Sequence, residues 1–413
     1  MECIIITIGN EILSGRTVDT NASYISQRLF FLGIYVKRII TIPDVKDEIE
    51  TTLKNALKEV DLVVTTGGLG PTRDDITKKT IAKIFDRELI IDGDILRSVE
   101  ERFRRFGYAK MPESNISQAE VPEGAFAFPN RRGTAPGIII REEQKTCVLL
   151  PGVPFEMEGL MDEFIIPYLK KNLVTDTVIV VGNIRTTGIG ESSLAELLEP
   201  SLKETGKIEL AYLPGYSGVD LRLTARGKDR DLLNNKIKEI EEVIRDKAAE
   251  YIYGYGDEDL ARIVFEILKK KKYSLSVAES CTGGLISHRL TNIPGSSAVF
   301  IHGAVTYSKK AKMDILKVPG EILKKHGAVS METALAMAEG IRRISGSDIG
   351  LSTTGIAGPD KDEFNNPVGL VYAGYSDESG SEGRKFMLGE GRLMVKERAA
   401  QAALNLLRIK LND

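Results

Sequence analysis

The stretch TTGGLGPTRDD, residues 65–75, sets Gly67, Gly68 and Gly70 just ahead of Asp74 and Asp75. Glycines let a ligand approach the backbone closely. A helix opening after them offers free N–H groups to a phosphate. Pro71 and Thr72, in the same turn, fall beside that phosphate. The aspartates repel it unless a cation bridges the two. Hard divalent cations take carboxylate and phosphate oxygens together. Asp74 and Asp75 therefore read either as acids satisfying the first helical turn or as metal ligands. Glu11 in GNEIL and Asp19 in TVDTN stand near the ends of the first strand and helix and are the other metal candidates. Loops gather at the carboxyl ends of parallel strands, which is how these acids would converge. The pattern is neither GxGxxG nor GxxxxGK[ST], so neither the dinucleotide fingerprint nor the P-loop applies.

A second group is rich in small polar residues. Residues 276–312 carry Ser280, Cys281, Thr282, Ser296, Ser297, Tyr307, Lys309, Lys310 and Lys312, and LSTTGIAGP adds Thr353, Thr354 and Gly355. No histidine is spaced for a Ser-His-Asp triad. A serine can instead use a desolvated lysine as its base. Cys281 reads as a small buried residue in preference to a nucleophile, which would need a lowered pKa.

The elements that must position these residues follow from periodicity. CIIITIG, IYVKRIIT and DLVVTT are strands. DTNASYISQRLFFLG, with Asp19 or Thr20 at its cap and Gly33 closing it, and DVKDEIETTLKNALKE are helices. This βαβαβ order implies a mostly parallel sheet covered by helices. GIIIREEQKTCVLLPG is two strands around a polar turn, and a helix over about 155–170 closes the block. Residues 171–252 read as a small α+β domain, with strands TVIVVGNIRTTG and VDLRLTARG and helices ESSLAELLEP and RDLLNNKIKEIEEVIRDKAAE. YIYGYGDED reads as a linker. DLARIVFEILKKKK then puts Leu260, Ile263, Val264, Ile267 and Leu268 on one face, and the lysine run is a solvated helix end favoured by the dipole.

The 413 residues imply two or three domains, and a 42% hydrophobic, 28% charged composition is that of an ordinary globular protein. A net charge of -3 with no basic stripe argues against direct nucleic-acid contact. Three scattered cysteines and three histidines without ligand spacing exclude a disulfide framework or a zinc knuckle and suit a reducing cytoplasm. The first apolar run is too short to span a bilayer and has no basic leader. The expected location is cytoplasmic, with no membrane partner.

GNEILSGRTVDTN, TTGGLGPTRDDITK, NRRGTAPG and LPGVPFEM together resemble the molybdopterin-binding fold of molybdenum-cofactor biosynthesis proteins and gephyrin. The resemblance is closest to the N-terminal half of the competence/damage-inducible protein A (CinA) family. It implies a three-layer α/β domain over residues 1–170 with divalent-metal-dependent (Mg²⁺ or Co²⁺ class) ADP-ribose pyrophosphatase activity, yielding AMP and ribose 5-phosphate. Asn21, Gly133, Thr134 and Pro154 join the glycine loop as implied substrate contacts. Asn10 stands where the family commonly has Asp, removing one ligand, and Arg131 and Arg132 add positive charge near the expected phosphate site.

AESCTGG, PGSSAVF, TYSKKAK, HGAVS and TTGIAGPD resemble the C-terminal domain of the same family over residues 257–413, an α/β nicotinamide mononucleotide (NMN) deamidase that needs no cofactor. The resemblance implies a serine–lysine amidohydrolase. Ser297 is the expected nucleophile, with Ser280 as the alternative, and Lys312 is the base. Thr354 assists and Tyr307 lines the site. Ser280, Thr282, Gly283, Gly284 and Gly355 would hold phosphate or oxyanion, with Arg392 as a phosphate partner. DKDEFNNPVG lacks a glycine pair and a lysine common before Pro-Val-Gly, which affects substrate contacts there. The implied whole is a bifunctional enzyme of pyridine nucleotide recycling and a homodimer. The alternative for the first domain is a non-catalytic nucleotide- or pterin-binding module. A direct role in DNA uptake or repair is disfavoured by the charge.

Overall fold

Runs such as CIIITI and LVVTT are mostly apolar and rich in β-branched residues, and the strands they form are buried on both faces, as parallel strands under two helix layers must be. In a computed structural model, all residues are described except 73, 173–177, 203–207 and 413. Arg73 of the glycine-rich loop and Thr177 at the head of the expected 177–188 strand lie outside the described residues. The chain packs as two units, Met1–Val180 with Arg226–Leu233, and Val181–Ala225 with Asn234–Asp413.

The first unit holds strands β1 (Glu2–Ile8), β2 (Tyr35–Ile42), β3 (Leu62–Thr66), β4 (Leu89–Ile91), β5 (Glu120–Pro122), β6 (Phe126–Phe128), β7 (Gly137–Glu142) and β8 (Lys145–Leu150). Its main sheet runs β2-β1-β3-β8-β7-β6, parallel from β2 to β8 and antiparallel beyond. Helices α1 (Thr20–Phe31), α2 (Lys46–Glu59) and α3 (Thr77–Ile84) connect the parallel strands. One core, around Ile4, Ile6, Leu53 and Ile81, fills one face, and another, around Cys3, Ile5, Ile25 and Leu160, fills the other. The helix expected over 155–170 is present from Pro154 to Asn172, with a π turn at Met161–Ile165 inside it.

Next come β9 (Val178–Thr186), α4 (Glu191–Leu202), β10 (Ile208–Pro214), β11 (Val219–Gly227), α5 (Arg230–Ala248) and β12 (Ile252–Tyr255), in a sheet ordered β10-β11-β9-β12. Within the YIYGYGDED segment expected as a linker, Ile252–Tyr255 is therefore strand β12, pairing antiparallel with β9. Its glycines and tyrosines mimic a linker, but the partner strand lies far away in sequence. The rest of the second unit is α6 (Leu260–Lys271), β13 (Leu275–Glu279), α7 (Leu285–Thr291), β14 (Phe300–Val305), α8 (Lys309–Leu316), α9 (Met331–Ser345), β15 (Ile349–Gly355), β16 (Leu370–Asp377), β17 (Gly380–Met387) and α10 (Arg392–Asn412). Its sheet runs β14-β13-β15-β16-β17, with the first three parallel. On α6 the buried face is Leu260, Ala261, Val264, Phe265 and Leu268, so Phe265 takes the place expected of Ile263.

Helix α9 buries Thr333, Ala334, Met337, Ala338 and Ile341, a stripe of i, i+4 neighbours, against β15 and β16. The approach is close enough that a Cβ on Gly350 would stand 2.1 Å from the Ala338 carbonyl oxygen. Backbone cannot yield as a side chain can. Gly350→Ala is expected to destabilise the second unit by roughly 1–3 kcal/mol through overpacking, read as a lower midpoint in thermal or urea unfolding. An unchanged midpoint would show that the α9–β15 contact is looser than described.

Candidate functional site

Strand β13 ends at Glu279, and the chain turns through Ser280–Gly284 into α7. Glu279 has no exposed surface. Its carboxylate accepts from the N–H groups of Gly284 (2.9 Å), Ile286 (3.1 Å) and Ser287 (2.9 Å) and from the Ser287 hydroxyl (2.7 Å). These are the donors a helix start leaves unpaired, and a carboxylate suits the positive end of the dipole. The next residue, Ser280, is thereby held at the strand's end, its own N–H bonded to the Thr353 carbonyl of β15.

Ser280 meets Lys312. The Lys312 Nζ donates to Ser280 Oγ at 2.9 Å, to the Thr306 carbonyl at 2.7 Å and to the Tyr307 carbonyl at 3.2 Å. Lys312 sits in the first turn of α8, capped by the Ser308 hydroxyl, and is 0% exposed. Burial pushes its ammonium down to about 8. As pH approaches 8 this places a growing fraction of neutral amine, able to take a proton, against a serine hydroxyl.

The pair lines a pocket of about 260 Å³ with Thr354, Gly355, Tyr307 and Arg392. Thr354 donates its hydroxyl to the Ala328 carbonyl at 2.6 Å. At the exposed rim Arg392 donates to the Tyr307 hydroxyl (2.9 Å) and to the Gly358 carbonyl (3.0 Å). Lys361 adds a second cation to the lining, and Asp362 staples its loop by accepting from the Phe364 and Asn366 N–H groups.

Ser297, expected as the nucleophile, is in the exposed short turn Ser296–Ala298 and does not line this pocket; Lys312 bonds Ser280 instead. The residues expected to hold an oxyanion or phosphate are largely spent internally. The Gly284 N–H serves Glu279, the Gly283 N–H serves the Ser280 carbonyl, and the Thr282 hydroxyl shares a 2.8 Å bond with Thr353. Cys281 is buried, and desolvation pushes its thiol up to about 12, the opposite of an activated nucleophile.

In the first unit the carboxyl ends of β1 and β3 open on a cleft of about 700 Å³. Gly67, Gly68, Gly70 and Pro71 form one wall, and Thr134 and Pro154 belong to another. Gly67 has φ +111°, and a Cβ there would sit 2.0 Å from the Ile8 carbonyl oxygen, so the turn requires glycine. Five acids line the cleft: Glu11, Asp44, Asp74, Asp75 and Glu156. Burial, with Glu11 and Asp75 adding, holds the Asp44 carboxyl above its ordinary range. Asp75 accepts from the Thr72 N–H at 2.9 Å and from its hydroxyl, so Thr72 braces an acid and does not line the cleft. Among the described residues no three Asp, Glu, His or Cys side chains are gathered into a metal cage. A magnesium-like cation does not need one, since it binds one or two carboxylates together with substrate phosphates and water.

Three expectations in this unit are corrected. Asp19 is the N-cap of α1, accepting from the Ala22 N–H (2.9 Å) and the Thr7 hydroxyl (2.7 Å), and is not in the acidic group. Asn21 is buried and joins the Thr66 hydroxyl to the Gly152 carbonyl, both at 2.9 Å, so it ties loops together. Gly133 does not line the cleft itself; a Cβ there would stand 1.9 Å from the carboxyl carbon of Glu156, so it makes room for an acid that does. The expected charge of Arg131 and Arg132 also goes elsewhere: Arg131 pairs with Glu163 at 3.3 Å, and Arg132 lies 4.8 Å from the Phe155 ring centroid. Sequence reasoning missed Asp44 and Glu156. Asp44 follows β2 directly, and the rule that gathers loops at strand ends would have found it.

The chain matches the CinA C-terminal domain over residues 257–411, the "Probable molybdopterin binding domain" over 4–171 and the damage-inducible protein CinA KH domain over 182–254. It is 43% identical over 410 residues to a Caldicellulosiruptor bescii protein named for competence-damage induction, covering 99% of each chain. It is 41% identical to a CinA-like protein of Kosmotoga olearia, covering 99% of this chain and 98% of that one. The solved structure of the Thermoplasma acidophilum protein CinA is 39% identical, matching 42% of this chain and 98% of its own with a TM-score of 0.38. Similarity at this level, running along almost the whole of both chains, makes the protein a member of the competence/damage-inducible CinA family, with an α/β first domain of the molybdopterin-binding type.

Proposed function

We propose that the second unit is a serine–lysine amidohydrolase acting on a nicotinamide nucleotide, hydrolysing NMN to nicotinic acid mononucleotide and ammonia. The observation that carries this reading is the 2.9 Å contact between the buried Lys312 amine and the Ser280 hydroxyl. Ser280 Oγ attacks the carboxamide carbon while its proton passes to neutral Lys312 Nζ. The tetrahedral adduct collapses as the C–N bond breaks, and Lys312 returns the proton to the departing nitrogen, releasing ammonia. Water then attacks the Ser280 ester, giving a proton to Lys312; the C–Oγ bond breaks, Lys312 returns that proton to Ser280 Oγ, and the acid leaves. Thr354 and Gly355 form the wall beside the reacting carbon, and Arg392 and Lys361 at the lining are the partners for the nucleotide phosphate.

For the first unit we infer a second site, for ADP-ribose with a divalent cation. Glycine-loop backbone and the start of α3 hold the pyrophosphate, and Glu11, Asp44 and Asp74 line the place for the cation. A cation so held would lower the pKa of a bound water and neutralise phosphoryl charge. Protein chelated and then resupplied with magnesium or cobalt should regain AMP release from ADP-ribose, and Asp44→Asn should reduce it at least roughly tenfold. No AMP release with any metal, from protein that still deamidates NMN, would leave this unit a binding module.

Ser280→Ala should abolish ammonia release from NMN, whereas Ser297→Ala should leave it within about twofold of the parent. The reverse outcome would return the nucleophile to Ser297. Since the free base of Lys312 is the competent form, kcat/KM should rise with pH and level off above about 8. In the folded chain the lysine prefers to lose its proton, so its buried charge costs stability below about pH 8, and that cost is relieved as pH climbs toward 10.5. Lys312→Met should therefore abolish turnover without lowering the melting temperature by more than a few degrees at pH 7, because the removed charge offsets the lost hydrogen bonds. A pH-independent rate would sink the assignment of Lys312 as base.

A further inference from the structure

A third cavity, of about 510 Å³, lies wholly within the second unit, between the start of α4, the β10–β11 turn and α10. Gln401 of α10 lines it. This side chain is 2% exposed, yet neither its amide nitrogen nor its amide oxygen has a hydrogen-bond partner. An unpaired buried amide is a cost that a leucine of similar size would avoid. Gln401 does not stand alone: Arg398 and Asn405, three before and four after it on the same helical face, line the same cavity. The Arg398 guanidinium is steadied by the Leu388 carbonyl at 3.1 Å, and the Asn405 carboxamide oxygen accepts from Arg408 at 2.9 Å. Arg408 in turn donates to the Ile252 and Glu250 carbonyls, which bolts α10 to the β12 end of the small sheet and fixes the cavity's two walls. Opposite α10, the twelve-residue α4 begins at Glu191 with its first N–H groups free of helical partners. Tyr216, 61% exposed, stands at the lip.

We propose that this cavity binds a nucleoside monophosphate whose base carries an adjacent donor and acceptor. The Gln401 amide pairs with that edge through two hydrogen bonds, as glutamine does with adenine. Tyr216 covers the base face, and the Glu191 carboxylate accepts from ribose hydroxyls. Arg398 and the α4 start hold the phosphate. The site is separate from the Ser280 pocket and from the acidic cleft, and it depends on neither catalytic reading.

The full-length protein is to be photolabelled with 8-azido-AMP and the label mapped by peptide mass spectrometry. Attachment is expected within residues 214–219 or 386–405, suppressed by excess AMP and reduced roughly tenfold or more by Gln401→Leu. Tyr216→Ala, at an exposed position, should weaken it without affecting folding. Competition by NMN as strong as by AMP would mean that a carboxamide is read as well as a purine edge; competition by AMP alone would mean the purine edge. Gln401→Leu should melt no lower than the parent, because an unpaired buried amide is removed. Label confined to the acidic cleft, or labelling of 214–219 and 386–405 indifferent to Gln401→Leu, would overturn the proposal.

Discussion

A lysine with no exposed surface must either be surrounded by acceptors or give up its proton, and Lys312 does some of each. Its three polar contacts are the Ser280 hydroxyl and the carbonyls of Thr306 and Tyr307. Those carbonyls point inward because the chain leaving β14 is tied to its neighbour: the Thr306 N–H bonds the Glu279 carbonyl at 2.8 Å. Glu279 then spends its side chain on the start of α7, which fixes the turn carrying Ser280. Ser280, Lys312 and the strand ends that hold them thus form one connected set. Loosening any member would leave a buried charge or an unpaired backbone group, and such groups are costly in a dry interior.

Both units solve the placement problem through the same topology. In the order β2-β1-β3 and again in β14-β13-β15, the chain leaves a central parallel strand toward opposite sides of the sheet. A crevice opens at the carboxyl ends of such strands. One holds Ser280 and Thr354, the other the glycine loop and its acids. What differs is water. The second-unit pocket is small and lined by a desolvated amine, whereas the first-unit cleft is large and keeps several carboxylates together. The first suits proton transfer between neutral partners, and the second suits charge held against a cation.

Much of this framework was legible in the sequence. Unbroken Ile/Val runs marked the central strands, and the Gly-rich turn before Asp74 marked the cleft, because local chemistry alone decides such features. Non-local pairing was not legible. The Gly/Tyr-rich β12 looked like a linker because only its contact with β9 makes it a strand. Ser280 and Ser297 both sit among small polar residues; what separates them is that Ser280 directly follows a fully buried strand and opens a turn into a helix. Asp19 was legible both as a cap, since DTN precedes a periodic helix, and as a metal candidate; the cap role turns its carboxylate to the Ala22 N–H and the Thr7 hydroxyl and leaves it outside the acidic group. The unpaired amide of Gln401 was invisible, because an apolar helix face with one glutamine looks like tolerance until its neighbours are known.

The state of Cys281 has a consequence for redox chemistry. It adjoins Ser280, the proposed nucleophile, in sequence, where an ionised thiol would compete for electrophiles and be open to oxidation. Burial keeps it protonated, and Cys3 and Cys147 lie in the first unit's cores with their thiols also pushed up by desolvation. Peroxide and alkylating agents react with thiolates. A serine set against a buried amine therefore stands beside a thiol held protonated, the form that oxidants and alkylating agents attack least readily.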